Sequence, residues 1–271
     1  MDAYFDAAPR AGAEPVETGA FTLFVGRTPS SYYARPALAH RKPITSADLG
    51  TLERACLEHG VDLAIEWVHE VHPELVELAW ANGLEVSTHA LMVAAASNVV
   101  AREVAGVRLR IVDAGDAALP IGRAVADVSF TFGGTGTGTG TGTGPGGATE
   151  RDLVAGRLSA DLVERLRDRV RRGLTVTAIA ESDAGVLAVG SYQPVGELAE
   201  VVAVATLPEA RRRGLAGAVT ALLARHAREH GVADLLLSAQ DDDVARVYER
   251  VGFRRVGATH AAEHKGSGRQ S

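Results

Sequence analysis

Short apolar runs alternate with stretches of helical periodicity along most of the 271-residue chain. From Val107 onward, β-branched and apolar runs predict strands, and longer amphipathic stretches between them predict helices. The predicted strands are Val107–Val112, Thr175–Glu181, Val186–Gln193, Leu198–Thr206, Asp234–Ser238 and Arg254–His260. The predicted helices are Ala117–Phe130, Arg151–Arg172, Arg213–His230 and Asp243–Arg250. This order predicts an α/β fold with a mixed sheet.

The first hundred residues carry a second pattern of the same kind. The predicted strands are Phe21–Val25, Val61–Val68 and Glu85–Val93, and the predicted helices run from Thr45 or Ser46 to His59 and from His72 to Ala81. The tetrapeptide Glu58–Val61 recurs as Glu229–Val232, in both places where a helix ends and an apolar strand follows. We interpret this similarity as a partial internal repeat.

The segment Gly133–Gly147 consists of glycine, threonine and one proline. No side chain in it can enter an apolar core, and glycine raises the entropy cost of ordering, so we predict a flexible loop. A G-x-G-x-x-G pattern lies inside it, but no strand leads into the first glycine as a dinucleotide site requires. The polar tail 266–271 is predicted to be disordered.

Composition excludes several classes of function. The single cysteine, Cys56, excludes an internal disulfide and a zinc site built on several thiolates. The net charge of −6 argues against binding nucleic acid by phosphate neutralisation. No apolar stretch is long enough for a membrane span and no signal peptide is visible. We therefore expect a cytoplasmic protein without nucleic-acid or membrane partners, and whether it forms a homodimer is left open.

Three weaker chemical signals favour structural roles. His226 and His230 lie four residues apart on a predicted helix, but no further ligand type accompanies them, so we predict no metal site. Ser191 and Ser238 have no evident histidine or aspartate partner for nucleophilic catalysis. Cys56 lies among apolar residues of a predicted helix, which favours core packing.

The segment Glu200–Gly217 carries the most candidate chemistry. An apolar strand runs into Pro208, three arginines follow, and Gly214–Gly217 open a helix. The first turn of a helix offers unpaired N–H groups and a partial positive charge, and small residues let a ligand approach the backbone. With the arginines, this arrangement suits a pyrophosphate. A helix start with a solvated basic patch is the alternative.

Two motifs in this region resemble those of the GNAT N-acetyltransferase superfamily. Arg211–Ala216 fits its acyl-CoA signature R-x-x-G-x-A, and Asp241–Phe253 is similar to its helix ending in Tyr-Glu-x-x-Gly-Phe. The resemblance implies the acyl-CoA N-acyltransferase fold, acetyl-CoA as cosubstrate and an amine acceptor. It also implies that the strand Asp234–Ser238 splays away from Leu198–Thr206 to admit the thioester.

The resemblance also assigns site residues. It implies that Val204, Ala205 and Thr206 bind the pantetheine arm, and that the pyrophosphate is held by Arg211, Arg212, Arg213, Gly214, Leu215, Ala216 and Gly217. Tyr248 falls on the family's general-acid position and Glu200 on a frequent position of its base; Glu197 and Glu181 are rivals of Glu200. The structural alternative for Tyr248 is a tyrosine whose ring packs in the core, and the alternative for Glu200 is an ordinary exposed glutamate at a strand end. Asp241 and Asp242 stand where the family often has asparagine, which puts that pantetheine contact in doubt.

The partial repeat lacks this chemistry in the first half of the chain. The position of the acyl-CoA signature corresponds to His40–Pro43, which has no glycine, and the position of Tyr248 to about Ala79. We therefore predict a degenerate GNAT-like half over residues 1–105 and a catalytic domain over 106–265. Four residues of the first half are candidates to face an amine in the substrate cleft: Glu66, Trp67, His69 and Glu70.

The predicted activity is that of a transferase (EC 2.3.1 type) that moves the acetyl group of acetyl-CoA to a primary amine. The amine would attack directly in a ternary complex. Small amines, aminoglycoside-like compounds and peptide N-termini remain open as acceptors. Two alternatives remain: a non-catalytic acyl-CoA-binding or regulatory protein, and an acyltransferase that modifies a protein amine or uses a longer acyl chain.

Overall fold

The computed structural model describes residues 1–26, 32–132 and 146–264. The predicted flexible loop, apart from Gly146 and Gly147, and the predicted disordered tail lie outside these residues. The described chain divides into two units: Met1–Leu91 together with the C-terminal residues from Val256, and Met92–Arg255. None of its helices is both long and apolar enough to cross a bilayer.

The first unit is a mixed sheet with three helices. Its helices are α1 (Asp2–Arg10), α2 (Ser46–Glu58) and α3 (Leu75–Ala81), and its strands are β1 (Ala13–Glu17), β2 (Phe21–Gly26), β3 (Tyr32–Pro36), β4 (Ala64–Val68), most of β5 (Leu84–Ala95) and most of β11 (Arg254–His264). The strand order is β1-β2-β3-β4-β11-β5. Only β3 and β4 form a parallel pair among the pairs with a defined register, and β4 is antiparallel to β11.

Its core forms because α2 and α3 each bury one apolar face. Leu49, Leu52 and Cys56 of α2 pack with Phe21 and Trp67 of the sheet. Burial raises the pKa of the Cys56 thiol to about 11, so the thiol stays protonated and unreactive. The predicted core role of Cys56 is confirmed.

In its described residues, the second unit has five α-helices and five complete strands. Its helices are α4 (Ala118–Thr131), α5 (Ala148–Ala155), α6 (Ala160–Arg171), α7 (Leu215–Glu229) and α8 (Asp242–Glu249), and its strands are β6 (Arg108–Val112), β7 (Val176–Ser182), β8 (Gly185–Val195), β9 (Leu198–Thr206) and β10 (Asp234–Ala239). The strand order is β10-β9-β8-β7-β6, with β10 and β9 parallel and the other pairs antiparallel.

Helices cover both faces of this sheet at its centre. A Cβ on Gly190 of β8 would lie 2.9 Å from Val219 Cγ1 of α7. A Cβ on Gly122 of α4 would lie 3.1 Å from Val189 Cγ2. Because successive strand residues point to opposite faces, α7 packs on one side of β8 and α4 on the other. The two glycines let both helices approach closely.

The two units repeat one topology. The order β1-β2-β3-α2-β4-α3 in the first recurs as β7-β8-β9-α7-β10-α8 in the second, with the same antiparallel, antiparallel and parallel pairings. The internal repeat is therefore longer than the sequence similarity indicated. The strand that follows the second copy, β11, does not stay with it. β11 pairs with β4 in the first unit, while the last residues of β5 belong to the second, where Ala96 N–H donates to Ala233 O at 2.8 Å.

Several sequence-based elements differ from the structure. The single helix predicted over Arg151–Arg172 is wrong, because α5 ends before Gly156 and Ser159 starts a new helix by accepting a hydrogen bond from Leu162 N–H. The sequence analysis also missed α1, β1 and β3, which are short and contain proline. The functional division at residue 105 remains a prediction.

Candidate functional site

Two parallel strands of the second unit diverge at their carboxyl ends. β9 and β10 are paired at Leu198 with Asp234 and at Glu200 with Leu236, and the pairing stops there. β9 continues to Thr206 and β10 to Ala239 without further pairing between them. The predicted splay of these strands is therefore present. Backbone groups on the facing edges of the two strands are left for another partner.

A β-bulge reshapes β9 where it faces this gap. Val202 lies opposite Ser191 and Ala205 opposite Val189, so Ala203 and Val204 together oppose Gly190. Ala203 adopts a left-handed φ of 52° and is exposed. A Cβ on Gly190 would lie 3.2 Å from Val204 Cγ2, so the glycine leaves room for the displaced valine. The bulge re-aims backbone groups of the strand beside the gap.

The loop that follows β9 ends in an open helix N-terminus. We call Arg211–Gly217 the arginine loop. Arg212 has a φ of 62° and Gly214 a φ of 84°, and both are exposed with Arg213. The first helical bond of α7 runs from Ala218 N–H to Gly214 O. In the described part of the chain, the backbone N–H groups of residues 212–217 have no protein acceptor, and no side chain caps the helix.

Arg211 differs from the two arginines that follow it. Its Nη2 donates to the backbone carbonyl of Ser129 at 3.0 Å, at the end of α4, and its Nε to Thr206 O at 3.5 Å. The guanidinium is therefore engaged with the protein and joins α4 to the start of the arginine loop. The charges open to a ligand are those of Arg212 and Arg213.

Glycines in both predicted motifs serve packing as well. A Cβ on Gly217 would lie 3.0 Å from Val251 Cγ1. A Cβ on Gly252, whose φ is 113°, would lie 2.4 Å from the carbonyl oxygen of Asn98. We call residues 96–106 the crossing segment, and Val100 N–H of this segment donates to Val251 O at 3.0 Å. Gly217 leaves room for the side chain of Val251 and Gly252 for the backbone of Asn98, whereas the space beside Gly214 is open except for Val104 at 3.8 Å.

Glu200 lies where the two strands separate. It is the last residue of β9 that pairs with β10, and it is half-buried. Of its rivals, Glu181 accepts hydrogen bonds from Arg110, with Nε at 2.9 Å, and Glu197 lies exposed in the turn between β8 and β9. The position at the base of the gap distinguishes Glu200 from both.

Tyr248 is buried on the inner face of α8. Its side chain is 8% exposed, and its ring packs edge-on against Phe253 at 5.8 Å between centroids. Burial raises the pKa of the phenol, so the hydroxyl is protonated at neutral pH. It can therefore donate a hydrogen bond there.

Asp241 and Asp242, at the start of the helix that carries Tyr248, both have structural partners. Asp241 Oδ1 accepts from Val244 N–H at 2.9 Å and caps α8, and Asp242 pairs with Arg255 Nη1 at 2.6 Å. Both carboxylates stabilise this end of the unit.

Two buried polar side-chain atoms lie at the ends of the diverging strands; the sequence analysis named Thr206 as a binding residue and did not name Gln240. Thr206 Oγ1, at the end of β9, and Gln240 Oε1, directly after β10, have no hydrogen-bond partner. Ligands in α/β folds commonly bind beyond the carboxyl ends of parallel strands, so a polar residue directly after a predicted parallel strand is the signal that could have found Gln240.

Comparison with known proteins identifies the fold. Residues 176–261 match the family model described as FR47-like protein. A GCN5-related N-acetyltransferase from Kribbella flavida is 19% identical with a TM-score of 0.70, over 98% of this chain and 95% of that chain. A tandem GNAT protein from the clavulanic acid biosynthesis pathway is 15% identical with a TM-score of 0.55, over 90% of this chain and 76% of that chain. The chain has the GNAT fold. The predicted resemblance and fold class are confirmed.

A third structure extends the likeness without adding a function. A functionally unknown conserved protein from Staphylococcus epidermidis is 12% identical with a TM-score of 0.62, over 96% of both chains. No curated protein sequence matches the chain.

The first unit repeats GNAT elements without an open helix N-terminus. At the start of α2, Thr45 Oγ1 accepts from Asp48 N–H, and the Asp48 carboxylate accepts from Thr45 N–H at 2.8 Å. Hydrogen bonds that the Asp48 carboxylate accepts from the Thr45 hydroxyl, at 2.7 Å, and from Thr45 N–H hold the pKa of Asp48 below its usual range. A carboxylate of the protein therefore occupies the position that an anion would need. Ala79, which corresponds to Tyr248, is buried and apolar.

Of the four residues of the first unit that were predicted to face an amine, three have polar partners inside that unit and Trp67 lies in its core. Trp67 is 1% exposed in the core, and Glu66 lies 3.7 Å from Arg35. His69 Nδ1 lies 3.0 Å from His260 Nε2, and Glu70 accepts from Ala258 N–H at 3.2 Å. Their predicted contact with a substrate stays a prediction.

The second unit of this GNAT fold holds a histidine pair that the sequence had singled out. His226 Nδ1 lies 2.9 Å from the Tyr192 hydroxyl, and its ring stacks on His230 at 3.9 Å. Burial raises the pKa of Tyr192 to about 12, so the phenol stays protonated. Across the described residues, no group of three or more metal-ligating side chains is brought together.

Proposed function

We propose that the chain is an acyl-CoA-dependent N-acyltransferase that moves an acetyl group from acetyl-CoA to a primary amine in a ternary complex. The observation that carries the proposal is one continuous arrangement in the second unit. The gap between β9 and β10 leads directly into the arginine loop, whose N–H groups are open at the start of α7. This arrangement suits an elongated ligand with an anionic end and a reactive end.

The cosubstrate would lie along β9 with its pyrophosphate at the arginine loop. The open N–H groups and the partial positive charge of α7 would bind phosphate oxygens, and Arg212 and Arg213 would add charge. Backbone groups of Val204–Thr206 would bind the pantetheine arm as a further strand would. Arg211 would position the loop through its bonds to Ser129 and Thr206.

The transfer would proceed by direct attack of the amine on the thioester carbonyl carbon. A C–N bond forms and the C–S bond breaks, with the electron pair leaving on sulfur. Glu200, directly or through a water, would accept the proton that the amine must lose. A backbone N–H at the bulge would stabilise the negative charge that develops on the carbonyl oxygen. The thiolate gains a proton and leaves as the thiol.

Tyr248 would assist the departure of the sulfur. Its buried phenol is protonated at neutral pH and could donate to the developing thiolate. Because the pKa of the phenol is raised, Tyr248 should remain protonated through the pH range in which an amine acceptor loses its proton. The loss of activity in Tyr248→Phe should therefore be similar at pH 6.5 and pH 8.5.

A thiol-release assay with acetyl-CoA and a panel of primary amines tests the proposal. We expect release that depends on the amine, and a fall in kcat of about tenfold to a hundredfold in Tyr248→Phe and Glu200→Gln. Tyr192→Phe is the matched control, since it removes a buried phenol that bonds His226 and should leave kcat unchanged. Binding of CoA without release to any amine would instead favour a non-catalytic acyl-CoA-binding protein.

A further inference from the structure

The first unit holds a cavity of about 700 Å³ that the proposed function does not use. All of its lining residues belong to this unit, and they come from the start of α1, from the loop after β3 and from the loop after β4. Because β3 and β4 are parallel, both loops follow carboxyl ends of strands, where ligands of α/β sheets commonly bind. The volume lies within the usual range of small-molecule sites.

Opposite charges line this cavity without pairing with each other. Within the described part of the chain, neither the Lys42 ammonium nor the Asp2 carboxylate has a hydrogen bond or an ion pair. Arg41 Nη1 donates to a backbone carbonyl at 2.9 Å, so no carboxylate matches its charge. Glu74 pairs instead with His72, at 3.1 Å between Oε1 and Nδ1. Two cations and one carboxylate are therefore left for a ligand.

Apolar side chains complete the lining of the cavity. Leu38 is 36% exposed and Val71 is 45% exposed, although both are large apolar residues. An apolar group of a ligand that covers them removes apolar surface from water, which favours binding. The lining therefore suits a ligand that carries an apolar group besides its charges.

This cavity differs chemically from the arginine loop of the second unit. Pro43 has no N–H to donate, and the hydrogen bonds between Thr45 and Asp48 close the N-terminus of α2. An anionic group must therefore be bound by cationic side chains. The Asp2 carboxylate in the same cavity repels a polyanion such as CoA and attracts an ammonium group.

We propose that this cavity binds a small apolar zwitterion, namely a free amino acid or short peptide with an apolar side chain. Its carboxylate pairs with Lys42 and Arg41, and its ammonium group pairs with Asp2. Its apolar side chain covers Leu38 and Val71. This binding site is additional to the proposed transfer of an acetyl group and does not depend on it.

Isothermal titration with leucine and with leucyl-leucine, in the absence of acetyl-CoA, tests the proposal. We expect at least one of the two to bind the wild-type chain. The Kd should rise about threefold to tenfold in Lys42→Gln and in Asp2→Asn, because each variant removes one ion pair with the ligand. Lys42 is exposed and Asp2 lies in the first turn of α1, so neither change removes a core contact.

Two variants elsewhere in the first unit are matched controls. Arg54→Gln removes an exposed cation of α2, and Glu77→Gln removes an exposed acid from the first turn of α3. Neither residue lines the cavity, so the Kd should stay unchanged in both. A general effect of net charge would instead change the Kd in the controls as well.

Modified ligands identify the individual contacts. The N-acetylated form of the ligand that binds lacks the ammonium group, so it should bind the wild-type chain about threefold to tenfold more weakly. It should lose little further affinity in Asp2→Asn, because the two changes remove the same contact. The amide of the ligand lacks the carboxylate and should show the same relation with Lys42→Gln.

The proposal is overturned if neither leucine nor leucyl-leucine binds. It is also overturned if the Kd is the same in the wild-type chain, Lys42→Gln and Asp2→Asn, since the ligand then binds elsewhere, for example as an amine acceptor. Because these titrations contain no acetyl-CoA, their result can be distinguished from a failure of the proposed function, which the thiol-release assay reports.

Discussion

At the scale of single residues, backbone strain marks the candidate site. Two non-glycine residues of the described chain have a positive φ, Ala203 at the bulge and Arg212 in the arginine loop. The left-handed region costs an L-residue roughly 1–2 kcal/mol, and such residues concentrate at functional sites. Both lie along the proposed path of the cosubstrate. The strain thus supports the same site as the open N–H groups do, through an independent observation.

Ala203→Gly should stabilise the protein. Glycine adopts a φ of 52° without the penalty of a Cβ, and this gain exceeds its extra entropy in the unfolded chain by about 0.5 kcal/mol. Ala199→Gly on the same strand should instead lower the free energy of unfolding, because Ala199 is buried in regular strand. Urea unfolding of both variants checks the prediction, and an equal loss in both would contradict it.

The lowered pKa of His260 predicts that the free energy of unfolding of the first unit falls in acid. Burial and the neighbouring His69 lower the pKa of His260, so the folded chain holds this group neutral. The unfolded chain takes up the proton first, near its ordinary pKa of 6.5, so stability falls as pH decreases below that value. His260→Gln should reduce the loss of unfolding free energy between pH 7.5 and pH 5. Exposed His230→Gln is the control, and an unchanged pH slope in His260→Gln would refute the idea.

At the scale of elements, the crossing segment depends on one glycine of the second motif. Gly252→Ala would place a Cβ 2.4 Å from Asn98 O and force a φ of 113° on alanine. We expect a loss of about 3 kcal/mol in the free energy of unfolding. Gly231→Ala is a matched control, because its φ of 85° is also left-handed but nothing lies within 4 Å of the added Cβ. It should cost only about 1 kcal/mol, and similar losses would remove the packing explanation.

The pattern of apolar and polar residues predicted the elements whose apolar period is strong. It failed where that period is weak or where it continues across the end of a helix. The strands β7 to β10 and the helix α7 lie close to their predicted bounds, because burial on one or both faces leaves a clear signal. β1 has one proline and two glutamates among its five residues, so it shows no alternation of apolar and polar residues that would predict a strand. The break between α5 and α6 was missed because the apolar period continues across the cap at Ser159.

The candidate site was predictable only in part, because some of its features depend on contacts between residues far apart in the chain. The backbone of the arginine loop could be found, because glycines and arginines at a helix start carry a chemical meaning by themselves. The engagement of Arg211 with Ser129 O could not, since it joins residues far apart in the chain. The unpartnered state of Thr206 and Gln240 is likewise a property of packing.

At the scale of the whole molecule, the last strand, β11, does not stay with the half of the chain that precedes it. β11 pairs with β4 in the first unit, with His260 opposite Trp67, although the sequence analysis placed it in the catalytic domain. Nothing in the local pattern of Arg254–His260 indicates its partner, because an apolar period specifies a strand but not its neighbour. The sequence could therefore reveal a repeat but not that β11 lies in the first unit.

The repeat predicts one acetyl-CoA per chain. The N-terminus of α7 is open, whereas Asp48 and Thr45 close that of α2. Isothermal titration should therefore give a stoichiometry of one. The double variant Arg212→Glu, Arg213→Glu should abolish binding, since it reverses the charge beside the open N–H groups. Its counterpart in the first unit, Arg41→Glu, Lys42→Glu, should leave both stoichiometry and Kd unchanged. Two sites per chain, or loss of binding in the second double variant alone, would show that the first unit holds a site of its own.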